Sequence, residues 1–145
     1  MNQTNSPPPA GLLRRLGGCL YDMLLLAALW MVATAAWLPF TGGEEIPQQL
    51  QPLFQLYLVV VAALFFAGFW CLAGQTLGMR AWHLRVQQPD GSRISLRQAL
   101  IRLAVAPLSW AALGLGFIWI LFDGERRAWH DIASGTAVVF TRPER

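Results

Sequence analysis

The chain has 145 residues, of which 55% are hydrophobic and only 13% are charged. In typical soluble domains about a quarter of the residues are charged. This composition therefore excludes an ordinary soluble domain and indicates a single membrane domain. The net charge is +3 and all eleven basic residues are Arg. These arginines flank apolar segments instead of forming a soluble basic face, which argues against nucleic-acid binding.

The first apolar segment, residues 16–40, follows a polar, proline-rich stretch at residues 1–10 that predicts a disordered tail. At about 1.5 Å per residue, this segment is long enough to cross a hydrocarbon core of roughly 30 Å. Arg14 and Arg15 precede it, as in a signal peptide, but Asp22 interrupts the apolar run that such a peptide needs. We therefore predict a transmembrane helix.

The two flanks of this helix differ in charge. The loop after it contains Glu44 and Glu45 but no Arg, whereas the chain before it is rich in Arg. By the positive-inside rule, the N terminus lies in the cytoplasm. The second apolar segment, residues 53–73, has no formal charge and predicts a second transmembrane helix, so the next loop, with Arg80 and Arg85, is cytoplasmic. Together with Arg14, these two arginines are predicted to lie at the cytoplasmic interface.

This loop and the C-terminal region carry short strand signals. Residues 76–82 predict a short interfacial helix, and residues 83–88 alternate in polarity as a strand does. Pro, Asp and Gly at 89–91 predict a turn. Residues 136–141, with the sequence TAVVFT, predict a second strand whose partner is the first, since an unpaired strand would expose its edges.

The third apolar segment, residues 99–122, contains Arg102 near its start and Pro107 inside. As a third span it would put the Arg-rich C terminus outside. A re-entrant hairpin bent near Pro107 keeps both ends in the cytoplasm, and the paired strands favour it. The predicted fold is an all-α membrane protein with two transmembrane helices, this third segment as a hairpin or a span, and a small cytoplasmic β element. It forms one domain at 11–141, with a tail at 142–145.

Asp22 lies about two turns inside the first apolar helix, where a charge is costly. Arg15 shares its face but lies about 10 Å away along the axis, so Arg102 is the predicted salt-bridge partner of Asp22. With His130 and Asp131, these residues form a candidate buried network or ion site, because burial moves the pKa values of carboxyl and imidazole groups. The alternative is that Asp22 and Asp131 pair with arginines only to hold the helices together.

Three motifs occur in a fixed order: G-x-x-R-R-x6-D at residues 11–22, G-Q-T-L-G-x-R at 74–80, and H-D-x-x-x-G-T at 130–136. Together they resemble the RDD family of small bacterial integral membrane proteins, named for one arginine and two aspartates. The resemblance implies that the family arginine is Arg15, with Arg14 as the adjacent candidate, and that the aspartates are Asp22 and Asp131. One departure is Met79, where the family usually has a basic residue. The resemblance also implies a bacterial inner-membrane location and a role in transport.

Two functions remain open at this stage. The first is a small ion-coupled transporter, which with so few spans requires a homo-oligomer or a membrane partner protein. The second is a non-transporting membrane adaptor or assembly factor that binds its partner near Arg80 and Arg85. In either case the lipid bilayer surrounds the helices.

Enzymatic and metal-binding functions find little support in the sequence. There is no nucleophile elbow, P-loop or dinucleotide fingerprint, so we predict that the chain is not an enzyme and uses no cofactor. Cys19 and Cys71 lack the spacing of metal ligands, as do His83 and His130, and no metal site is predicted.

Overall fold

A computed structural model describes residues 7–141 of the chain. The main elements of this part are two long helices, a bent helical segment and a two-stranded sheet. Residues 1–6 and the predicted tail at 142–145 lie outside this part. The predicted mostly helical architecture with a small β element is confirmed.

The two long helices correspond to the first two apolar segments. Helix α1 spans Leu12–Trp37 and helix α2 spans Gln51–Ala73, each extended by a 3-10 turn in the loop between them. Both are long and apolar enough to cross a membrane. Only 11% of the apolar window of each helix is buried, so most of its apolar side chains face outward, as lipid contact requires. Helix α1 begins four residues before the predicted start of the apolar segment at residue 16. Its first turn therefore includes Arg14 and Arg15.

Polar atoms on aromatic side chains tie α1 to α2. The indole nitrogen of Trp30 donates to the carbonyl oxygen of Leu58 at 3.0 Å, and the Tyr57 hydroxyl donates to the carbonyl oxygen of Ala33 at 3.3 Å. The ring of Trp37 packs beside that of Tyr57, with centroids 5.2 Å apart. The two helices are therefore held together near the loop that joins them.

A short helix and a strand follow α2. Helix α3 spans Leu77–Ala81 and strand β1 spans Leu84–Gln87. Strand β2, Ala137–Phe140, pairs with β1 in antiparallel register, with Leu84 opposite Phe140. The predicted pairing of the two strand segments is confirmed.

The free edge of β2 is covered by the chain that precedes α1. The backbone nitrogen of Ala10 donates to the carbonyl oxygen of Val138 at 3.0 Å, and that of Phe140 donates to the carbonyl oxygen of Pro8 at 2.9 Å. The prediction of a disordered tail over residues 1–10 is therefore wrong for residues 8–10. The physical reason is that an open strand edge offers unpaired donors and acceptors to any extended neighbour.

The third apolar segment consists of two helices whose axes are bent by 107°. Helix α4 spans Leu96–Ala111, and helix α5, Leu115–Ile118, continues as a 3-10 turn. The chain then returns through helix α6, Trp129–Ser134, to β2. Because β1 precedes α4 and pairs with β2, both ends of this segment lie at the end of α1 and α2 that carries the sheet.

The sequence predicted a bend near Pro107, and this prediction is wrong. Pro107 is inside α4, where it interrupts no more than one helical hydrogen bond. The helix ends instead before Leu113 and Gly114, which have φ angles of 54° and 77°. Two successive left-handed residues reverse the direction of the chain, and glycine adopts this conformation at no steric cost.

Helix α3 lies against α1 where two glycines meet. A Cβ atom on Gly78 would lie 2.3 Å from the carbonyl oxygen of Gly18 and 2.7 Å from the carboxyl carbon of Asp22. Both neighbours belong to α1, and a backbone atom cannot move aside as the end of a flexible side chain does. The close approach of α3 to α1 therefore requires glycine at position 78.

We expect Gly78→Ala to lower the free energy of unfolding by about 1–3 kcal/mol, because the added methyl group overpacks this contact. Titration of the purified protein with a denaturing detergent, followed by circular dichroism, measures the change. The matched control is Gly68→Ala in α2, where a Cβ atom would meet nothing within 4 Å. Equal stability of the two variants would contradict the packing described here.

Candidate functional site

A buried carboxylate, Asp131 in α6, lies between two guanidinium groups. Its Oδ1 atom accepts a hydrogen bond from Nη1 of Arg102 at 2.5 Å, and its Oδ2 atom accepts from Nη1 of Arg15. The same Oδ2 atom accepts from the backbone nitrogen of Ala128 at 3.0 Å. The exposed fraction of the Asp131 side chain is 0%. One carboxylate thus joins α1, α4 and α6.

Both arginines also bind the chain around Asp131. Nε of Arg15 donates to the carbonyl oxygen of Ala10 at 3.2 Å, and its Nη2 donates to that of Arg126 at 2.7 Å. Nη1 of Arg102 also donates to the hydroxyl of Thr136 at 2.5 Å. Because buried charges need such partners, these bonds make the cluster a fixed part of the fold.

Positively charged side chains outnumber negatively charged ones in direct contact around Asp131. Burial alone would raise the pKa of Asp131, but the charges of Arg102 and Arg15 outweigh burial and hold this pKa well below its usual range. Burial, and then the charge of Arg102, lowers the pKa of His130 to about 4, so this imidazole is neutral near pH 7. Its Nε2 atom lies 3.5 Å from Oδ1 of Asp131. Two guanidinium charges therefore face a single carboxylate charge.

Asp22 forms a separate arrangement on α1. Its Oδ1 atom accepts a hydrogen bond from the backbone nitrogen of Gly78 at 2.8 Å, and its Oδ2 atom accepts from the hydroxyl of Thr76. The Thr76 oxygen in turn accepts from the backbone nitrogen of Met79 at 3.1 Å and so caps α3. Asp22 is 3% exposed. It fastens the start of α3 to α1 through neutral donors.

The predicted salt bridge between Asp22 and Arg102 is wrong. Arg102 is bound by Asp131 and Thr136, and within residues 7–141 no Arg or His nitrogen lies within 4.0 Å of the Asp22 carboxylate. The prediction relied on similar depth in the bilayer, which does not fix the direction in which a helical side chain points. The alternative, that aspartates pair with arginines to hold the helices, describes Asp131 but not Asp22.

A cavity of about 420 Å³ lies between α1, α2 and α4. Four of the predicted site residues line it together, namely Arg15, Asp22, Arg102 and His130. Most of the other lining side chains are apolar or aromatic, among them Met23, Leu26, Trp30, Val59, Phe66, Leu103, Trp110 and Phe117. The structure therefore gathers the predicted polar residues, except Asp131, on the wall of one largely apolar cavity.

The three predicted interface arginines lie apart from this site. The guanidinium carbon of Arg14 stacks 4.1 Å from the ring centroid of Phe140. Arg80 is exposed at the end of α3, and Arg85 is half-buried in β1. Among the described residues, no group of three or more His, Cys, Asp or Glu side chains is placed to hold a metal ion.

Sequence reasoning missed Thr76, Gly78 and Thr136 as partners of the charged residues. The first two lie in the G-Q-T-L-G motif, and the third ends the H-D-x-x-x-G-T motif. A threonine before a short helix is an N-cap signal that would have identified Thr76. Nothing in the sequence alone indicates that Asp22 lies beside this cap.

Comparison with known proteins finds a match to the model of the RDD family over residues 9–135. The chain is 29% identical over 140 residues to "Uncharacterized protein YckC" of Bacillus subtilis (strain 168), covering 93% of this chain and 87% of the relative. It is 28% identical over 123 residues to "Uncharacterized protein YxaI" of the same strain, covering 81% of each. No solved structure is significantly similar to the chain.

We expect Asp131→Asn to cost about 3–5 kcal/mol of unfolding free energy, because it leaves two buried guanidinium groups without a counter-charge. Denaturing-detergent titration of purified protein measures the loss. Asp123→Asn is the matched control, since Asp123 forms a solvent-accessible pair with Arg127 at 3.2 Å and pairs of this kind contribute little. The same small effect for both substitutions would contradict the role of Asp131 as the shared partner of two buried arginines.

Proposed function

The chain belongs to the RDD family, and we propose that it is a multi-pass protein of the bacterial inner membrane that acts as a small ion-coupled transporter. In this proposal Asp22 binds the coupling proton or cation. Two helices of membrane-spanning length and outward-facing apolar surface support the membrane location. Ionisable side chains inside membrane helices commonly belong to ion or proton pathways, which supports the assignment to Asp22.

The observation that carries the proposal is the difference between the two buried aspartates. Asp131 is held by Arg15 and Arg102 and is committed to the fold. Asp22 is also buried, with 3% of its surface exposed, but it has no cationic partner within salt-bridge distance in the described part of the chain, and it lines the cavity between the helices. Its partners, Thr76 and Gly78, are neutral. A proton or a small cation would neutralise this carboxylate without breaking an ion pair.

An oligomer is part of the proposal. The described part of one protomer, residues 7–141, has two helices long enough to span a membrane and a third segment bent by 107°. Such a small number of helices does not enclose a polar pathway, so the pathway would form between protomers or with a membrane partner protein. The exposed apolar faces of α1 and α2 supply surface for such contacts.

The orientation we propose has the N terminus and the sheet in the cytoplasm. Arg80 and Arg93 lie at the end of α2 that carries the sheet, whereas Glu44 and Glu45 lie in the loop at the opposite end. The positive-inside rule assigns the arginine-rich end to the cytoplasm. The third apolar segment starts and ends on this side and is therefore proposed to be re-entrant.

A second candidate function is a non-transporting adaptor or assembly factor. The exposed side chains of Arg80, Arg93 and Arg97 on the side of the sheet favour it, since they offer charged contacts to an acidic partner. A partner that co-purifies and is lost when Arg80 is replaced would support this function. If the protein purifies alone and moves ions, the adaptor function is excluded.

We expect Asp22→Asn to abolish ion movement while the fold persists, because asparagine keeps a carbonyl acceptor for one of the two donors but carries no charge. The purified protein is reconstituted into liposomes that contain a pH-sensitive dye, and a sodium, potassium or proton gradient is applied. The dye signal reports the flux. Circular dichroism of the same samples checks the fold.

Asp90→Asn is the matched control for this assay, because Asp90 is an exposed loop carboxylate whose hydrogen bonds within residues 7–141 go to neighbouring Ser92. It should retain the flux of the unchanged protein. Flux no greater than in empty liposomes for every gradient, or full flux in Asp22→Asn, would refute the transport proposal.

Labelling of single introduced cysteines tests which side of the membrane each loop lies on. Cys19 and Cys71 are first replaced by Ala so that the introduced cysteine is the one labelled. We expect a membrane-impermeant maleimide to label Glu45→Cys in spheroplasts, and to label Arg93→Cys only after the membrane is permeabilised. The reverse pattern would contradict the proposed orientation. Labelling of both positions in intact spheroplasts would contradict an α2 that spans the membrane.

A further inference from the structure

The cavity between α1, α2 and α4 is large enough for an organic ligand. Its volume of about 420 Å³ lies within the range of about 300–1,000 Å³ that is typical of small-molecule sites. Ion coupling at Asp22 does not require a cavity of this size, because a proton or a dehydrated cation occupies only a small part of it. Most of the cavity volume is therefore available to a larger ligand.

The walls of the cavity are apolar over most of their extent. Leu26 of α1, Val59 and Phe66 of α2, and Leu103 of α4 contribute to them. Water is unfavourable in apolar cavities because it finds no hydrogen-bond partners there. A hydrocarbon chain fits these walls, because it needs no hydrogen-bond partner there.

The end of the cavity near Arg102 has a different chemistry. The guanidinium carbon of Arg102 lies 5.1 Å from the ring centroid of Trp70, and both residues line the cavity. They are 2% and 8% exposed. Nε of Arg102 and Nε1 of Trp70 are buried and have no hydrogen-bond partner among the described residues. Since buried donors are normally paired, two unpaired donors on side chains that contact each other indicate a site for an acceptor.

The charge at this end favours an anion. Among the described residues, the guanidinium groups of Arg15 and Arg102 have one carboxylate within salt-bridge distance, that of Asp131, so two positive charges contact a single negative charge. The other titratable groups on this part of the wall are Cys19, Asp22 and His130. The oxygens of Asp22 are directed to Thr76 and Gly78 instead of either guanidinium group.

We propose that this cavity binds a long-chain fatty carboxylate, with its head group beside Arg102 and Trp70 and its hydrocarbon chain between α1, α2 and α4. The carboxylate oxygens supply acceptors for the two unpaired donors and balance the excess charge. Leu84 and Val138 of the sheet also line the cavity and belong to the same apolar cluster as Trp70. Apolar neighbours of the head group favour a compact free carboxylate over the larger polar head of a phospholipid.

The test uses the full-length protein in nanodiscs of zwitterionic phosphatidylcholine, with radiolabelled oleate as the probe. We expect saturable retention of oleate above that of protein-free nanodiscs. Oleyl alcohol, which has the same chain without the anionic head, should compete at least about tenfold less well than unlabelled oleate, which corresponds to ~1.4 kcal/mol. These measurements need only the unchanged protein, so they do not depend on the folding of any variant.

Two matched pairs of variants locate the binding site. Ala106→Phe puts a ring into the cavity and should reduce oleate affinity at least about tenfold, whereas Ala104→Phe, at an exposed position outside the cavity lining of the same helix, should leave it unchanged. Trp70→Phe removes one donor and keeps an aromatic ring, so it should weaken oleate binding several-fold. Trp119→Phe is its control, because Trp119 is 46% exposed and does not line the cavity.

Three results would overturn the proposal. The first is the absence of saturable oleate binding above protein-free nanodiscs, which would leave the cavity to water or to bulk lipid. The second is equal competition by oleyl alcohol, or stronger competition by phosphatidylglycerol than by oleate, since either would assign the wrong head group. The third is unchanged affinity in a folded Ala106→Phe variant, which would put the oleate elsewhere. Ion flux enters none of these measurements, so the outcome is independent of the transport proposal.

Discussion

The sharing of one buried carboxylate by two arginines is the interaction on which the rest of the structure depends. Asp131 draws Arg15 from the start of α1 and Arg102 from α4 to a single point in α6. Neither arginine would be stable there alone, because an unpaired buried charge costs several kcal/mol. The cluster therefore fixes where the bent third segment returns, and with it the position of β2 beside β1.

The three residues that the resemblance to the RDD family points to, Arg15, Asp22 and Asp131, have different physical tasks in this chain. Arg15 and Asp131 form an ion pair that holds distant parts of the sequence together. Asp22 binds Thr76 and Gly78 and so fastens the G-Q-T-L-G motif to α1 at a glycine contact. A carboxylate with only neutral partners retains the capacity to exchange a proton or a cation, whereas one held by two guanidinium groups does not.

The sequence predicted those parts of the fold that depend on local patterns. Two long apolar segments are enough to locate α1 and α2, and alternation with strand-forming residues located β1 and β2. Depth along a helix did not identify the partner of Asp22, because partner choice depends on which way each helix faces. The bend at Leu113 and Gly114 was missed because Pro107 is the stronger local signal. Helix α4 continues past the hydrogen bond that Pro107 removes, but it ends at two residues with left-handed φ angles.

A double-mutant cycle on Arg15 and Asp131 measures the central interaction most directly. Unfolding free energies are determined for Arg15→Met, Asp131→Asn and the double variant in the same detergent mixture. If the two side chains act as one unit, the double variant is less destabilised than the sum of the single variants, by about 1–3 kcal/mol. Additive effects, within about 0.5 kcal/mol, would contradict a structure held together by this carboxylate.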